Sequence, residues 1–195
     1  MLIDDQNDIA RVLSGDQPAY GLLVQRHQRR LLGLLAHACG SHELAEDLAQ
    51  ETFARAYQKL HLFEGRSSFY TWLCRVAMNL LANDRRRKRL ENQSSREGFE
   101  AVLGSNGVPG TAEQQVERDE LRQCVHAAIA MLDDDRRAVL LLRDFDGLDY
   151  EQIAEALQIP IGTVRSRLHR ARLELKSILE QRVGQLDRFA GCLES

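Results

Sequence analysis

The stretch from Asp149 to Leu179, DYEQIAEALQIPIGTVRSRLHRARLELKSIL, constrains the chain more than any other. Tyr150, Ile153, Ala154 and Leu157 recur at i, i+3, i+4 and i+7, which is one face of a helix. Asp149 precedes them with Gln152 three residues on, the spacing of a capping box. Gln158-Ile159-Pro160 breaks the pattern. A second periodicity follows through Val164, Leu168, Ala171, Leu175 and Ile178. Its opposite side carries Arg165, Ser166, His169, Arg170, Arg172 and Lys176. A short helix, a brief turn and a longer basic helix form the helix-turn-helix arrangement, whose second helix enters the DNA major groove. Ala154 is small where the two helices cross. The plainer alternative is an antiparallel helix pair with a solvated basic face. Cap, spacing and charge placement together favour the DNA-reading arrangement.

Bulk properties add limits. Apolar residues make up 44% and charged residues 28%, which suits a globular domain or two. Net charge is only −3 and the sequence pI is near 6.1, although free-standing DNA binders carry a basic footprint. The basic residues are therefore concentrated locally, or another molecule supplies much of the DNA affinity. VLLL at 139–142 falls far short of the roughly 18 apolar residues of a membrane span. The N-terminal MLIDDQND is acidic and has no signal-peptide apolar run, so a cytoplasmic location is expected. Cys39, Cys74, Cys124 and Cys192 form no CxxC pair and read as free thiols.

Helical spacing runs through the remainder, and no strand-like alternation occurs. Ile9, Val12 and Leu13 mark a first helix ending near Ser14-Gly15-Asp16. Pro18 suits the next start. Tyr20, Leu23, Val24, Leu31, Leu34, Leu35 and Ala38 lead to a stop at Gly40, with Arg26, Arg29 and Arg30 on the exposed side. HACGSH at 37–42 matches no zinc spacing and straddles a helix end, so no metal site is assigned. Ser41 caps a helix whose buried stripe is Leu44, Leu48, Thr52, Phe53, Ala56, Tyr57 and Leu60. The other face of that helix shows Glu43, Glu46, Asp47, Gln50 and Glu51. Carboxylates can serve as acid–base catalysts, but these lack a neighbouring nucleophile and suit a solvated or protein-docking face.

HLFEGRSS at 61–68 reads as a loop and FYTWLCRVAMNLLANDRRRKR at 69–89 as a helix. Phe69, Trp72, Leu73, Val76, Ala77 and Leu80 are its apolar face. Thr71, Arg75, Asn79 and Arg86 are its polar stripe. The helix closes on a basic run, Arg85 to Arg89. Charges that continue an aromatic-rich loop suit single-stranded nucleic acid, the charges tracking phosphates and the rings or a polar pocket taking bases. The alternatives are a core Trp72 and a basic run that only complements the helix C-terminus. Residues 92–118 exchange periodic apolar positions for Gly, Ser, Asn and Pro and read as a flexible linker. Leu121, Val125, Ala128, Ile129 and Leu132 then resume helical spacing. Asp133-Asp134-Asp135 opens another helix, whose Ala138, Leu141, Leu142 and Phe145 face a core. The fold class is all-α: two small helical domains joined by a flexible linker, the second a helix-turn-helix.

Three pieces now stand in one order: DLAQETFARAY at 47–57, FYTWLCRVAMN at 69–79 and YEQIAEALQIPIGTVRSRLHRAR at 150–172. Together they resemble bacterial sigma factors, most closely the extracytoplasmic-function group that includes the envelope-stress sigma. The resemblance covers nearly the whole chain apart from the linker and the last dozen or so residues. It implies a region 2-like domain over 1–91, a linker over 92–118, a region 4-like domain over 119–180 and a tail over 181–195. It implies that Glu46, Asp47, Gln50 and Glu51 dock on core RNA polymerase. Phe63, Ser67, Ser68, Tyr70, Arg75, Asn79, Arg85 and Arg86 would melt and hold the promoter −10 element. Arg165, Ser166, His169 and Arg170 would read base edges of the −35 element, with Arg172 and Lys176 on phosphate. An anti-sigma factor is an implied partner, able to hold the chain at the inner membrane. The resemblance implies no catalytic centre, metal, cofactor, small-molecule substrate or membrane insertion. Pro160 departs from the pattern by standing where many helix-turn-helix proteins place a Ser or Thr cap. A conventional helix-turn-helix regulator that binds duplex DNA without polymerase is the competing reading. No strand-rich receiver or ligand domain accompanies the motif here. An enzyme is the weakest reading, since no Gly-rich phosphate loop, Ser–His–Asp arrangement or metal-ligand cluster is present.

Overall fold

The computed structural model describes residues 2–92 and 123–193, with side chains for 4–87 and 123–181. Eight α-helices make up these residues, with no strand among them. The N-terminal four are α1 (Leu2–Leu13), α2 (Ala19–Cys39), α3 (His42–Gln58) and α4 (Phe69–Asn92). The C-terminal four are α5 (123–131), α6 (Asp134–Leu140), α7 (Tyr150–Leu157) and α8 (Ile161–Leu193). The linker expected over 92–118 lies outside the described residues, save Asn92 at the end of α4. The tail expected over 181–195 continues α8 through Leu193.

The sequence punctuation explains these bounds. Gly40 adopts φ 69° and ends α2, a left-handed stop that a Cβ would strain. Ser41 Oγ accepts from the Leu44 N–H at 3.3 Å and opens α3. Asp133 does the same for α6, accepting from Asp135 N–H at 2.9 Å. Leu23, Leu31, Leu35, Leu73 and Ile153 are fully buried, each gaining about 2 kcal/mol from burial.

Several side chains depart from the periodic expectation. Tyr57 belongs to the expected stripe of α3 but is 38% exposed, beside Tyr20 at the domain edge. Thr71, expected on a polar face, is fully buried and bonds Ser68. Arg26, expected in solvent, is drawn onto the buried carboxylates Asp5 and Asp8 of α1. Trp72 is only half-buried, its ring against Phe63 and Phe69. Phe145 is 41% exposed and lies over His37 instead of entering the core.

The two helical halves are in contact. One apolar core runs through both, α4 packs on α7, and α2 packs on a π-helical turn over Leu141–Phe145. That turn is closed by the Asp146 N–H donating to Leu141 C=O at 3.0 Å. It delivers Asp146 to the N-terminal half, where Arg30 Nε donates to Oδ1 at 3.0 Å and the Tyr70 hydroxyl at 2.8 Å. Nearby, His37 of α2 stacks on His126 of α5, with ring centroids 4.7 Å apart and planes 10° from parallel. Burial, and then His126, hold the His37 imidazole below its ordinary range. Burial also lowers His27, against the opposing pull of its bond to Asp5.

Two predictions follow from this packing. Asp149→Ala removes one half of the capping box and should cost about 1 kcal/mol, read as a lower urea midpoint. His27 and His37 bind fewer protons folded than unfolded near pH 6, so stability rises with pH there and is lost on acidification below the ordinary value of about 6.5. The thermal midpoint should therefore fall between about pH 7.5 and about pH 5.5. His37→Phe, which keeps a stacked ring, should flatten that slope; an unaltered slope would remove His37 as a contributor.

Candidate nucleic-acid interfaces

The first interface is built by the helix-turn-helix. Gln152 N–H donates to Asp149 Oδ1 at 2.7 Å, and Asp149 N–H donates back to Gln152 Oε1 at 3.0 Å. This reciprocal pair fixes where α7 starts. Its far end turns on Gln158, at φ 54°. Glutamine is unusual there, and its side-chain amide offsets part of the cost by donating to Glu155 C=O at 2.8 Å. Pro160 needs no hydroxyl cap. Its carbonyl accepts from Thr163 and Val164 N–H at 2.8 and 3.1 Å, and α8 begins one residue later. Val164, Leu168 and Ala171 are buried against the domain.

That burial turns the other side of α8 outward. Arg165, Ser166, His169, Arg170, Arg172 and Lys176 are all exposed. Ser166 Oγ bonds the Thr163 carbonyl at 3.1 Å. The Arg165 guanidinium lies 5.7 Å from the Tyr150 ring centre, a contact at the N-terminal end of α8. Arg172 is held by Asp144, whose hydrogen bond raises its pKa, yet its side chain remains 52% exposed. Arg167 takes another course: it is only 29% exposed and pairs with Asp135 of α6. Among the described residues of α8, Arg165, Arg170 and Arg172 are thus exposed, while Arg167 braces the helix against α6.

The second interface lies along α4 and the loop before it. Phe63, Phe69 and Trp72 form a ring cluster, with Phe63 5.5 Å from Trp72 and 6.0 Å from Phe69. Phe63 and Ser67 are half-buried and Arg86 is exposed. Ser68 Oγ accepts from Thr71 N–H at 3.0 Å, so this hydroxyl caps α4. Tyr70 is 4% exposed, beneath the Arg30 guanidinium at 3.9 Å, with its hydroxyl on Asp146. Arg75 Nη1 lies 4.0 Å from Glu155 Oε1. Arg85 donates to Asp134 Oδ1 at 2.6 Å. Asn79 lines a cleft of about 150 Å³ with Met78, Ala156 and Leu157. The eight residues expected at the −10 element are therefore split: Tyr70, Arg75, Asn79 and Arg85 face the C-terminal half, Phe63, Ser67 and Ser68 lie in the loop, and Arg86 is exposed further along α4.

A third surface is acidic. Glu46, Asp47, Gln50 and Glu51 all project from the outer side of α3. Glu46 pairs with His42 at 3.2 Å and Glu51 with Arg55, both one turn away. His37, Cys39 and His42 diverge, His37 to His126, Cys39 into the core and His42 to Glu46. No cluster able to hold a metal ion occurs among the described residues.

Residues 23–91 match the family described as Sigma-70 region 2, and residues 122–175 match Sigma-70, region 4. The chain is 40% identical to the RNA polymerase sigma-H factor of Pseudomonas aeruginosa over 90% of its own length and 94% of that protein. It is 40% identical to the ECF RNA polymerase sigma-E factor of Salmonella typhimurium over 87% of its length and 91% of that protein. Its fold resembles the sigma factor RpoE of Bartonella quintana, solved in complex with the anti-sigma factor NepR. There the TM-score is 0.63 and the identity 29%, covering 81% of this chain and 96% of that one. An exposed basic recognition helix, an aromatic and basic α4 and two matched family regions lead to one conclusion: the chain belongs to the extracytoplasmic-function sigma factors, non-catalytic specificity subunits of RNA polymerase that direct promoter-specific transcription initiation.

Proposed function

We propose that the chain grips a promoter at two places while docked on core RNA polymerase. The outward face of α8 enters the major groove of the −35 element. Arg165, Ser166, His169 and Arg170, in its N-terminal half, meet base edges, and Arg172 and Lys176 meet phosphate. The observation that carries this reading is the exposure of all six residues on a helix whose start and turn are fixed by caps.

The loop and helix from Phe63 to Arg86 take the −10 element. Extruding a base costs a few kcal/mol in stacking and pairing. Phe63, Ser67, Ser68, Tyr70 and Asn79 are assigned to the pocket, and Arg75, Arg85 and Arg86 to the backbone beside it. The pair Phe63 and Trp72, packed on the buried Phe69, supports the assignment, because both rings are half-buried and offer stacking surface. A chain with net charge −3 has little general attraction for DNA, so polymerase supplies the remaining grip. The face of Glu46, Asp47, Gln50 and Glu51 is assigned to that docking. An anti-sigma factor is a further partner, by likeness to the sigma factor solved with one. The location assigned is the cytoplasm, with retention at the inner membrane whenever such a partner is itself anchored there. No described helix is long and apolar enough to cross a membrane.

Reconstitution with core polymerase should give run-off transcription from a narrow promoter set; failure to bind core would sink the reading. Arg165→Ala should cut transcription about 10- to 100-fold with core affinity unchanged, the loss of one bidentate base contact. Asn79→Ala should impair open-complex formation, followed by permanganate reactivity of unpaired thymines, at unchanged core affinity. Normal opening would take Asn79 out of the pocket.

A further inference from the structure

We propose that Tyr150, the first residue of α7, is a positioning residue for base reading: its ring holds the Arg165 guanidinium without using up the donors that meet the base. The inference rests on the assignment of Arg165 to a base edge made above. Three observations carry it. Arg165 stands over the Tyr150 ring, 5.7 Å from its centre. Arg143 stands over the same ring at 5.1 Å and is itself tied down, donating to Leu148 C=O at 2.8 Å. Tyr150 directly follows the cap residue Asp149, whose reciprocal bonds with Gln152 fix the backbone that carries the ring.

The chemistry of the hold separates Arg165 from its neighbours on α8. Arg167 pairs with Asp135. Arg172 gives two N–H groups to Asp144, Nε at 3.0 Å and Nη2 beside it. A carboxylate holds an arginine by occupying the fork of donors that would otherwise take a base or a phosphate. An aromatic ring holds it by the attraction of its face for a cation. The donors of Arg165 therefore stay available for the O6 and N7 acceptors of a guanine. Arg165 and Arg172 lie seven residues apart, on one ridge of α8 with His169 between them. The segment from Asp144 to Tyr150 meets that ridge at both ends, with a carboxylate at Arg172 and a ring at Arg165.

The gain is entropic. A free arginine loses rotamers when it docks on a base, and that loss weakens the contact. Arg165 is exposed, so core packing does not choose its rotamer. The ring narrows the choice before DNA arrives. Tyr150 is half-buried and packs on the core, which holds the ring in turn. The face of the ring carries this role, and the hydroxyl has no part in it.

The test uses holoenzyme assembled on core polymerase and a promoter library randomised across the −35 element, with the bound DNA sequenced. Arg165→Ala should flatten the base preference at one position and so locate the base pair that Arg165 reads. Tyr150→Leu and Tyr150→Met both lack a ring. Each should weaken the preference at that same position about two- to fivefold and leave the other positions unchanged, at wild-type helical content by circular dichroism. Tyr150→Phe keeps the ring and should keep most of the preference. Adding Tyr150→Leu to Arg165→Ala should cost nothing further, because the ring then has no arginine to orient. A uniform loss across the −35 element in both ring-free variants overturns the proposal, since it reports a loosened domain. So does a Tyr150→Phe variant as impaired as Tyr150→Leu, or an additive double variant. If Arg165→Ala flattens no position, the base-reading assignment falls and takes the inference with it. If it flattens one that both ring-free variants leave intact, the inference falls alone.

Discussion

Asp146 is a carboxylate taken almost wholly out of water, and a buried charge is tolerable only when fully partnered. Its partners come from two helices of the other half: Tyr70 of α4 and Arg30 of α2, the latter bonding both its side chain and its carbonyl. The network does not stop there. Tyr70 stacks on His27, ring centres 5.6 Å apart, and His27 Nε2 lies 3.0 Å from Asp5 Oδ2 on α1. Burial, followed by the influence of Cys74 and Asp146, pushes the Tyr70 phenol far up, so it stays protonated and keeps donating. A path of satisfied polar groups thus runs from the first helix to the turn before the recognition motif. Such networks are worth most when complete, which is why one substitution at Asp146 or Arg30 reaches both halves.

What the sequence revealed, and what it did not, follows from the range of the interactions involved. The capping box of Asp149 and Gln152, the Gly40 stop and the Ser41 cap are local, and each was legible from residue type and spacing. So was the outward face of α8, because Val164, Leu168 and Ala171 announce the inward one. The break at Gln158 was legible too, but its left-handed backbone was not, since glutamine carries no preference for positive φ. Nor was the π-helical turn over Leu141–Phe145, because apolar residues at 139–142 satisfy an α-helical and a π-helical reading equally. Tyr57 and Phe145 fit the helical period yet lie partly exposed, since periodicity marks a face and not what covers it. The contact between the halves was the largest omission. It joins Arg30 to Asp146 and Arg85 to Asp134 across the length of the linker, and no sequence-local rule links them.

The same contact bears on the modest net charge. The proposed grip at two separate faces needs local basic surface, which the outward arginines of α8 and Arg86 of α4 offer. Two groups of acids stand out. Glu46, Asp47 and Glu51 share the outer side of α3, while Asp134, Asp146 and Glu155 lie against the arginines of the other half. The first group faces solvent, and the second offsets basic charge of the N-terminal half where the halves meet.

Arg75 and Glu155 are 39% and 42% exposed, and Arg85 and Asp134 are 20% and 40% exposed, so water screens these pairs and each is worth little alone. Asp146 and its partner Tyr70 are deeply buried, while Arg30 keeps 42% of its side chain exposed. Met78, Leu81, Leu141 and Ala156 are buried in the apolar core that runs through both halves, and they border a small cleft of about 150 Å³. The contact between the halves thus combines one buried, fully partnered carboxylate and a shared apolar core with outer ion pairs that water screens.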